Sequence, residues 1–349
     1  MKKALWIILI VLIIGRLIIP PIALRAINNF LADFSPIFYM HIDEFDLRLW
    51  KAAARIEGFQ IRLREQKEPF LKVEATEISA AWREIFAGRF RTDVVVIGSH
   101  LRVSNELFDA IKKYQKKATE DAKRLGKKMS PIQVDRIDIH KSTVRFASAP
   151  GIPDELLFGL SALDGRITNI TSTPERPISV IKFHGTLPDS SELIFHGYLN
   201  SQEKPAEWRM STELEKFHLK NLNPLTSKLI PLTFTAGTMD LYAEAKGEKN
   251  QVEGYAKPFV KDLAVIGNKK DFKSAKHLGI EALTAVADVI FRKSEDKTVA
   301  TKINFSYKDK KFKWDPGDVA SKAAAHGFKD EIKPGLEHKY KLKEKKDNE

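Results

Sequence analysis

The segment Ile132–Phe146 reads IQVDRIDIHKSTVRF. Ile137 and Ile139 alternate with Asp138 and His140, and Val144 and Phe146 flank Arg145. Successive side chains of an extended strand point to opposite faces, so this pattern gives each run one dry and one wet face. The polar pair Lys141-Ser142 between the runs reads as a turn, which makes the segment a hairpin.

The same period of two runs outward in both directions. Towards the N-terminus, Phe45, Leu47 and Leu49 alternate with Asp46 and Arg48, and Phe59, Ile61 and Leu63 with Gln60 and Arg62. Phe70–Ile78 and Thr92–Val103 continue it, joined by a short helical link over Ala81–Gly88. Asn105 then opens a helix whose apolar stripe is Leu107, Ile111, Tyr114, Ala118, Ala122 and Leu125, flanked by lysines. It reads as a solvated helix on a sheet edge, or as a basic surface for lipid headgroups. Towards the C-terminus, strands fall at Leu156–Leu163, Gly165–Ile170, Ile178–Gly185, Glu192–Asn200 and Glu207–Leu214. Pro188-Asp189-Ser190 and Asn200–Pro205 supply turns between them. Phe217–Leu225 reads as a turn with short helical character, and Thr233–Ala256 as a further meander. A strand every ten or so residues is the spacing of an antiparallel sheet built from hairpins. Ser274–Phe291 is helical with so narrow a polar stripe (Glu281, Thr284, Asp288) that it is expected to dock on the sheet or plug one end. Thr298–Tyr307 and Lys311–Trp314 form a last hairpin, and Val319–Phe328 a short Ala-rich helix.

The fold expected is therefore mainly β: an elongated, twisted antiparallel sheet with an N-terminal transmembrane helix and a few accessory helices. Its parts are an anchor (1–25), an N-terminal β region with a basic helix (26–130), a central antiparallel sheet (131–267), a helix-and-hairpin cap (268–338) and a disordered charged tail (339–349).

The anchor is the run Ala4–Leu24, ALWIILIVLIIGRLIIPPIAL. As a helix it spans roughly 31 Å, about one hydrocarbon core. Lys2 and Lys3 hold its leading end in the cytoplasm and Trp6 sits at that interface, so the body lies on the far side. Arg16 lies inside the run and is expected to snorkel towards the far interface. Pro20-Pro21 argues against a straight continuous helix, and Ala26–Phe34 reads as a separate amphipathic one. A cleavable signal peptide is the alternative, although Pro21-Ile22-Ala23 makes a poor cleavage site.

Composition narrows the function. There is no cysteine, hence no disulfide framework, thiol catalysis or cysteine metal site. The net charge of +12 suits an anionic membrane surface; nucleic acid would explain it too, but an exported body sets that partner aside. Phosphate-binding, dinucleotide, nucleophile-elbow and zinc-protease motifs are absent from the sequence. His140, His184, His196 and His218 fall in strands or at their ends without ligand spacing, and carboxylate pairs such as Asp43-Glu44 read as strand edges. No cofactor or metal site is expected, and no enzyme.

In order along the chain, several pieces are similar to the AsmA-like family, in particular its branch of bacterial envelope proteins built on a domain of unknown function. They are the anchor ending in Pro20-Pro21, HIDEFDLRLWKAAARIEGFQIRL (His41–Leu63), Phe70–Ala75, Trp82–Gly88 and Val94–Val103. PIQVDRIDIHKSTVRFASAP (Pro131–Pro150), FHGTLPDSSELIFHGYLN (Phe183–Asn200) and Phe217–Leu225 follow. The chain departs from the family at Phe146-Ala147, where an aspartate is expected after the aromatic.

The resemblance implies an incurved sheet whose hydrophobic inner face forms a groove. It implies a single-pass protein of the bacterial inner membrane with a periplasmic body, tied to phospholipid transfer and envelope biogenesis. By alternation, the groove residues would be Ile137, Ile139, Val144, Phe146, Phe183, Leu193 and Phe195. About fourteen strands at ~4.8 Å would give a groove of roughly 65 Å, too short to bridge a cell envelope alone. Phospholipid is the expected ligand, with other envelope proteins as further partners. A closed β-sandwich reads identically in sequence, and would make the chain a scaffold that recruits assembly factors through its sheet edges.

Overall fold

The computed structural model describes residues 2–86, 91–107, 109–111, 133–146, 158–171, 178–187, 189–200, 206–223, 232–249, 251–267, 298–308, 311–315 and 332–340. The helices expected at 274–291 and 319–328, and the expected 105–125 helix beyond residue 111, lie outside these residues. The chain divides into two compact units, Met1–Arg176 and Pro177–Glu349.

The first unit begins with one helix, α1 (Lys2–Phe34), followed by β1 (Phe38–His41), β2 (Glu44–Arg48) and a 3-10 turn, η1 (Leu49–Lys51). Then come β3 (Ala53–Leu63), β4 (Leu71–Ala80), the short α2 (Trp82–Phe86), β5 (Arg91–Val103), β6 (Gln133–Phe146) and β7 (Phe158–Thr171). The strands pair in the order β1-β3-β4-β5-β6-β7. β2 shares the outer edge of β3 with β1, taking Ala53–Glu57 while β1 takes Gln60–Leu63.

Besides β7, which is one strand with Ala162 left-handed (φ 48°) where two were expected at Leu156–Leu163 and Gly165–Ile170, three features of this unit differ from the sequence reading. First, 133–146 is a single strand and not a hairpin. Lys141 adopts a left-handed conformation (φ 52°) level with Gly98 of β5 (φ 63°), and the chain bulges there against β7 and continues. The Ser142 hydroxyl locks the bulge by accepting the Ser99 N–H (3.2 Å) and hydroxyl (2.6 Å) and donating to the His140 carbonyl (3.2 Å). A polar pair without glycine thus served a bulge, where it resembled a turn.

Second, the sheet is mixed, because β5 and β6 run parallel. The connection 104–132 is longer than the dozen or so residues that a parallel crossover needs. Its start is helical at 105–107 and 109–111, with the Ser104 hydroxyl accepting the Leu107 N–H (3.4 Å) as an N-cap.

Third, α1 runs unbroken through Pro20 and Pro21 to Phe34, so no separate helix begins at Ala26. Proline's fixed φ is helical, and two adjacent prolines delete bonds within a single turn. The far end of α1 is clamped to the sheet. Arg64 donates to the Ser35 carbonyl (3.0 and 2.8 Å) and to that of Ala32, and the Ser35 hydroxyl accepts the amides of Ile37 and Phe38. Asn28 pairs with Ile42 as a strand would, donating to its carbonyl and accepting its N–H, both at 2.9 Å.

The second unit is antiparallel. It contains β8 (Ile178–Thr186), β9 (Glu192–Asn200), β10 (Glu207–His218), η2 (Leu219–Leu222), β11 (Leu232–Glu248) and β12 (Gln251–Gly267). β13 (Thr298–Ala300), β14 (Ile303–Lys308) and β15 (Lys311–Asp315) follow. The order is β8-β9-β10-β11-β12-β14-β15, with β13 also on β12. The split between β13 and β14 has a local cause. Pro258 of β12 offers no N–H and sits opposite the break, where its carbonyl accepts the Thr301 N–H (3.2 Å). A small core closes one end of this unit around Phe217, Leu219 and Phe234, all buried. Asn223 seals it by bonding the Phe234 backbone through both amide atoms (2.7 and 2.8 Å).

Candidate functional site

Residues directly opposed on neighbouring strands share a face, so the register sorts side chains across each sheet. In the first unit, Leu47, Ala54, Ile78, Val94, Ile137 and Ile167 form one row across β2 to β7. Phe45, Ile56, Thr76, Val96 and Ile139 form the next row on the same face. The row between them belongs to the opposite face: Asp46, Arg55, Glu77, Val95, Asp138 and Arg166. Charges there are paired across strands. Arg48 meets Glu77 at 2.8 Å, Arg136 meets Asp93 at 2.9 Å, and the largely buried Asp138 is held by Arg136 and Arg166. Val144 lies past the bulge, opposite Leu101 and Leu160, and Phe146 stands last in β6 opposite Val103 and Phe158.

Gly58, Glu74, Gly98 and Lys141 line up across β3 to β6 and divide this sheet into two halves. Gly98 is required twice over. Its φ is left-handed, and a Cβ there would come within 2.3 Å of the Glu74 side chain.

In the second unit the faces are segregated more fully, with Ser179 on the apolar side and Val180 and Ile194 on the polar side as exceptions. Gly185, Leu193, Leu214, Leu241 and Pro258 form one row, and Phe183, Phe195, Thr212, Ala243, Ala256 and Ile303 the next. Ile181, Gly197, Met210, Ala245, Gly254 and Phe305 follow, then Leu199, Trp208, Gly247, Val252 and Tyr307. Aromatic rings roof the glycines: a Cβ on Gly247 would fall 2.2 Å from the Trp208 indole, and one on Gly254 2.5 Å from the Phe305 ring. Phe183, Leu193 and Phe195 therefore share one apolar face. They remain half-buried, as do Ile137, Ile139 and Val144 in the first unit. Met210 and Tyr307, which alternation along single strands did not single out, are exposed on that face. Their signal lay in register across strands, which one sequence does not display.

The opposite face of the second unit carries Lys182, His196, Ser211, Glu244, Tyr255 and Asn304, with Glu213, Tyr242 and Lys257 in the next row. This polar face is the one that the segment 332–340 covers. Tyr255 is fully buried; its hydroxyl donates to Glu244 and accepts the Glu337 N–H at 2.7 Å. Lys257, only 4 % exposed, donates to the Lys333 carbonyl (3.1 Å) and faces Glu337 at 3.7 Å. Lys302 reaches Glu337 at 2.7 Å, and the Lys339 N–H donates to Glu244 at 3.2 Å. Burial pushes the Glu337 carboxyl up, but the Lys302 and Lys257 ammonium groups outweigh it and hold it below its ordinary value. Lys339 and Tyr340 thus belong to a polar strap, although the sequence reads as a disordered tail from Lys339. Residues 341–349 lie outside those described.

His140 pairs with Asp164 (3.0 Å) and His218 with Asp189 (3.2 Å), and among the described residues no three metal-ligating side chains gather. Asp189 with Ser191 and His218 superficially resembles a triad. Both partners bond the carboxylate, however, and Ser191 is buried and donates also to the Lys216 carbonyl. The cluster is a turn lock: Asp189 also accepts the Ser191 and His218 amides and the Asn221 side chain. Burial raises its carboxyl and these hydrogen bonds more than reverse the effect, leaving it below the usual carboxylate range. A cavity of about 260 Å³ by Gln66, Lys67, Glu68, Arg102, Ser104 and Glu106 is polar and unsuited to an acyl chain.

The anchor residues are placed unevenly. The backbone of Lys2, Lys3 and Trp6 is helical within α1, which is long and apolar enough to cross a membrane. Arg16 turns towards the body: it lies 3.8 Å from Asp46, 3.5 Å from the Leu47 carbonyl and 5.9 Å from the Trp50 ring. An acidic side chain within reach gives the guanidinium a partner that snorkelling would not. Comparison with protein-family models and with curated proteins finds no match to this chain.

Proposed function

We propose that α1 anchors the chain in the bacterial inner membrane with its body in the periplasm, and that the apolar sheet faces bind phospholipid acyl chains. In this reading the protein supports phospholipid transfer or envelope biogenesis and has no catalytic role. The observation that carries it comes from the second unit. A sheet in water ordinarily turns its charged face out and packs its apolar face away. Here the strap 332–340 lies on the charged face, while Phe183, Leu193, Phe195 and Met210 on the other face keep partial exposure. An apolar surface of that extent calls for an apolar partner, and acyl chains match rows of Leu, Ile, Phe and small residues without polar demands. The resemblance to the AsmA-like family points the same way.

Phospholipids with a diazirine at the acyl terminus provide the test. Cross-linked to the full chain in cells, they are expected to label peptides of β8, β9 and β10 at apolar-face positions such as Phe183, Phe195 and Met210. Labelling confined to α1 would defeat the reading and favour a scaffold whose sheet edges recruit envelope proteins.

A further inference from the structure

Beyond acyl binding, we infer that one end of the first unit's sheet is itself seated in the bilayer, in the interface of the leaflet on the body's side. This rests on α1 crossing the membrane. The end in question is where η1 leads into β3 and β4 leads into α2; the Ala80 N–H donates to the Ala52 carbonyl, which brings the two together (3.0 Å). Trp50 is 71 % exposed there and Phe86 82 %, and Trp82 stacks on Phe86 at 5.7 Å. Large aromatic side chains exposed together are unfavourable in water and are the residues that populate membrane interfaces. Lys51 and Arg83 beside them are exposed and cationic, as suits anionic headgroups.

The helix fixes the depth of this rim. Arg16 contacts Asp46 and Leu47 of β2 and Trp50 of η1, so the rim is level with Arg16. The clamps at Asn28 and Arg64 prevent the helix from sliding along the sheet. Past Arg16, Leu17, Ile18, Ile19 and Ile22 are exposed, and polar residues join the outward side from Arg25 on, with Asn29 and Asp33 beside the exposed Phe30 and Phe34. With the hydrocarbon boundary at Arg25, the apolar span from Lys3 is ~33 Å, close to a bilayer core. An upright helix would then put Arg16 and the rim ~14 Å below that boundary, too deep for Lys51, Arg83 and open backbone, so the boundary lies nearer Arg16 and the rim sits at the interface. Placing the boundary at Arg16 itself leaves an apolar run of only ~20 Å and strands four exposed aliphatic side chains in water, yet the rim still touches the membrane. A boundary between the two, nearer Arg16, keeps Trp50, Trp82 and Phe86 at the level of the headgroups or just beneath them. The apolar rows through Ile137 and Ile139 start from this same end, so a lipid tail could pass from leaflet to sheet without crossing water.

The absence of cysteine allows single nitroxide labels. Trp50→Cys and Phe86→Cys, with Ile10→Cys in α1 and Lys67→Cys in the turn at the opposite end of β3 and β4, would be labelled in the full chain. The chain would be reconstituted in phosphatidylethanolamine and phosphatidylglycerol vesicles. Collision with a water-soluble nickel chelate is expected to fall severalfold at positions 50 and 86 relative to 67, with oxygen collision raised. Labels at 50 and 86 as open to nickel as that at 67, with position 10 shielded, would overturn the rim while the anchor stands. An aqueous label at position 10 would overturn both. Both rim side chains are mostly exposed, so neither substitution threatens the fold.

Discussion

Gly98 shows how much can hang on one atom. Its left-handed φ and the Glu74 side chain, which fills the place of a Cβ, leave no room for a substituent. Gly98→Ala should cost about 1–2 kcal/mol through backbone strain alone, and more if Glu74 cannot withdraw. A thermal melt followed by circular dichroism would register this as a fall of several degrees; an unchanged midpoint would mean that the seam through Gly58 and Gly98 is soft. Lys141 plays the same conformational part on β6 without being glycine, which is why the sequence there suggested a hairpin. Nothing in Lys141-Ser142 distinguishes a bulge from a turn until Ser99 on the neighbouring strand is known to bond Ser142. Asp189 was more legible, since Pro-Asp-Ser is a turn signature, although its reach to His218 and Asn221 is tertiary.

Among elements, the strap 332–340 makes the sharpest claim. The Glu337 carboxyl is held below its ordinary value, so its contribution is complete above that value and is lost as pH falls through the lowered one. Amide exchange at Glu337 and Lys339 should therefore be insensitive to pH above the ordinary carboxylate range, after correction for intrinsic rates, and lose protection as pH falls below that range. At neutral pH, Glu337→Gln should raise exchange roughly fivefold, the equivalent of about 1 kcal/mol for a pair that solvent partly screens. Protection that survives the substitution would assign the strap's hold to Tyr255, Lys257 and Glu244. The sequence could not announce this strap, because Lys339 and Tyr340 stand in a run of charges and their partners, Glu244, Lys246 and Arg209, lie on β10 and β11. Period-two alternation did locate most strands, including β3, β4, β8 and β9, since a half-buried strand writes its burial pattern locally. It missed the parallel pairing of β5 with β6, because strand direction depends on a connection and not on the strands.

At the scale of the molecule, the strands of each unit sort apolar from charged side chains, and the alternation of Phe183, Leu193, Phe195, Ile137 and Ile139 made one strand's share of that sorting readable. How the rows join across strands needed register. The central claim is that these faces are held for lipid and not closed as a core, and magnitude separates the two. Phe195→Glu in an open face should cost about 1–2 kcal/mol, since the carboxylate reaches water; in a sealed core an unpaired charge should cost several kcal/mol, enough to unfold most domains. Ile139→Glu poses the same question in the first unit. The most direct measurement is therefore phospholipid content by mass spectrometry on the purified full chain and both variants, with circular dichroism on the same samples. The predicted result is a wild-type chain that carries phospholipid and variants that stay folded but lose most of it. A wild-type chain free of lipid, with variants that unfold, would contradict the claim.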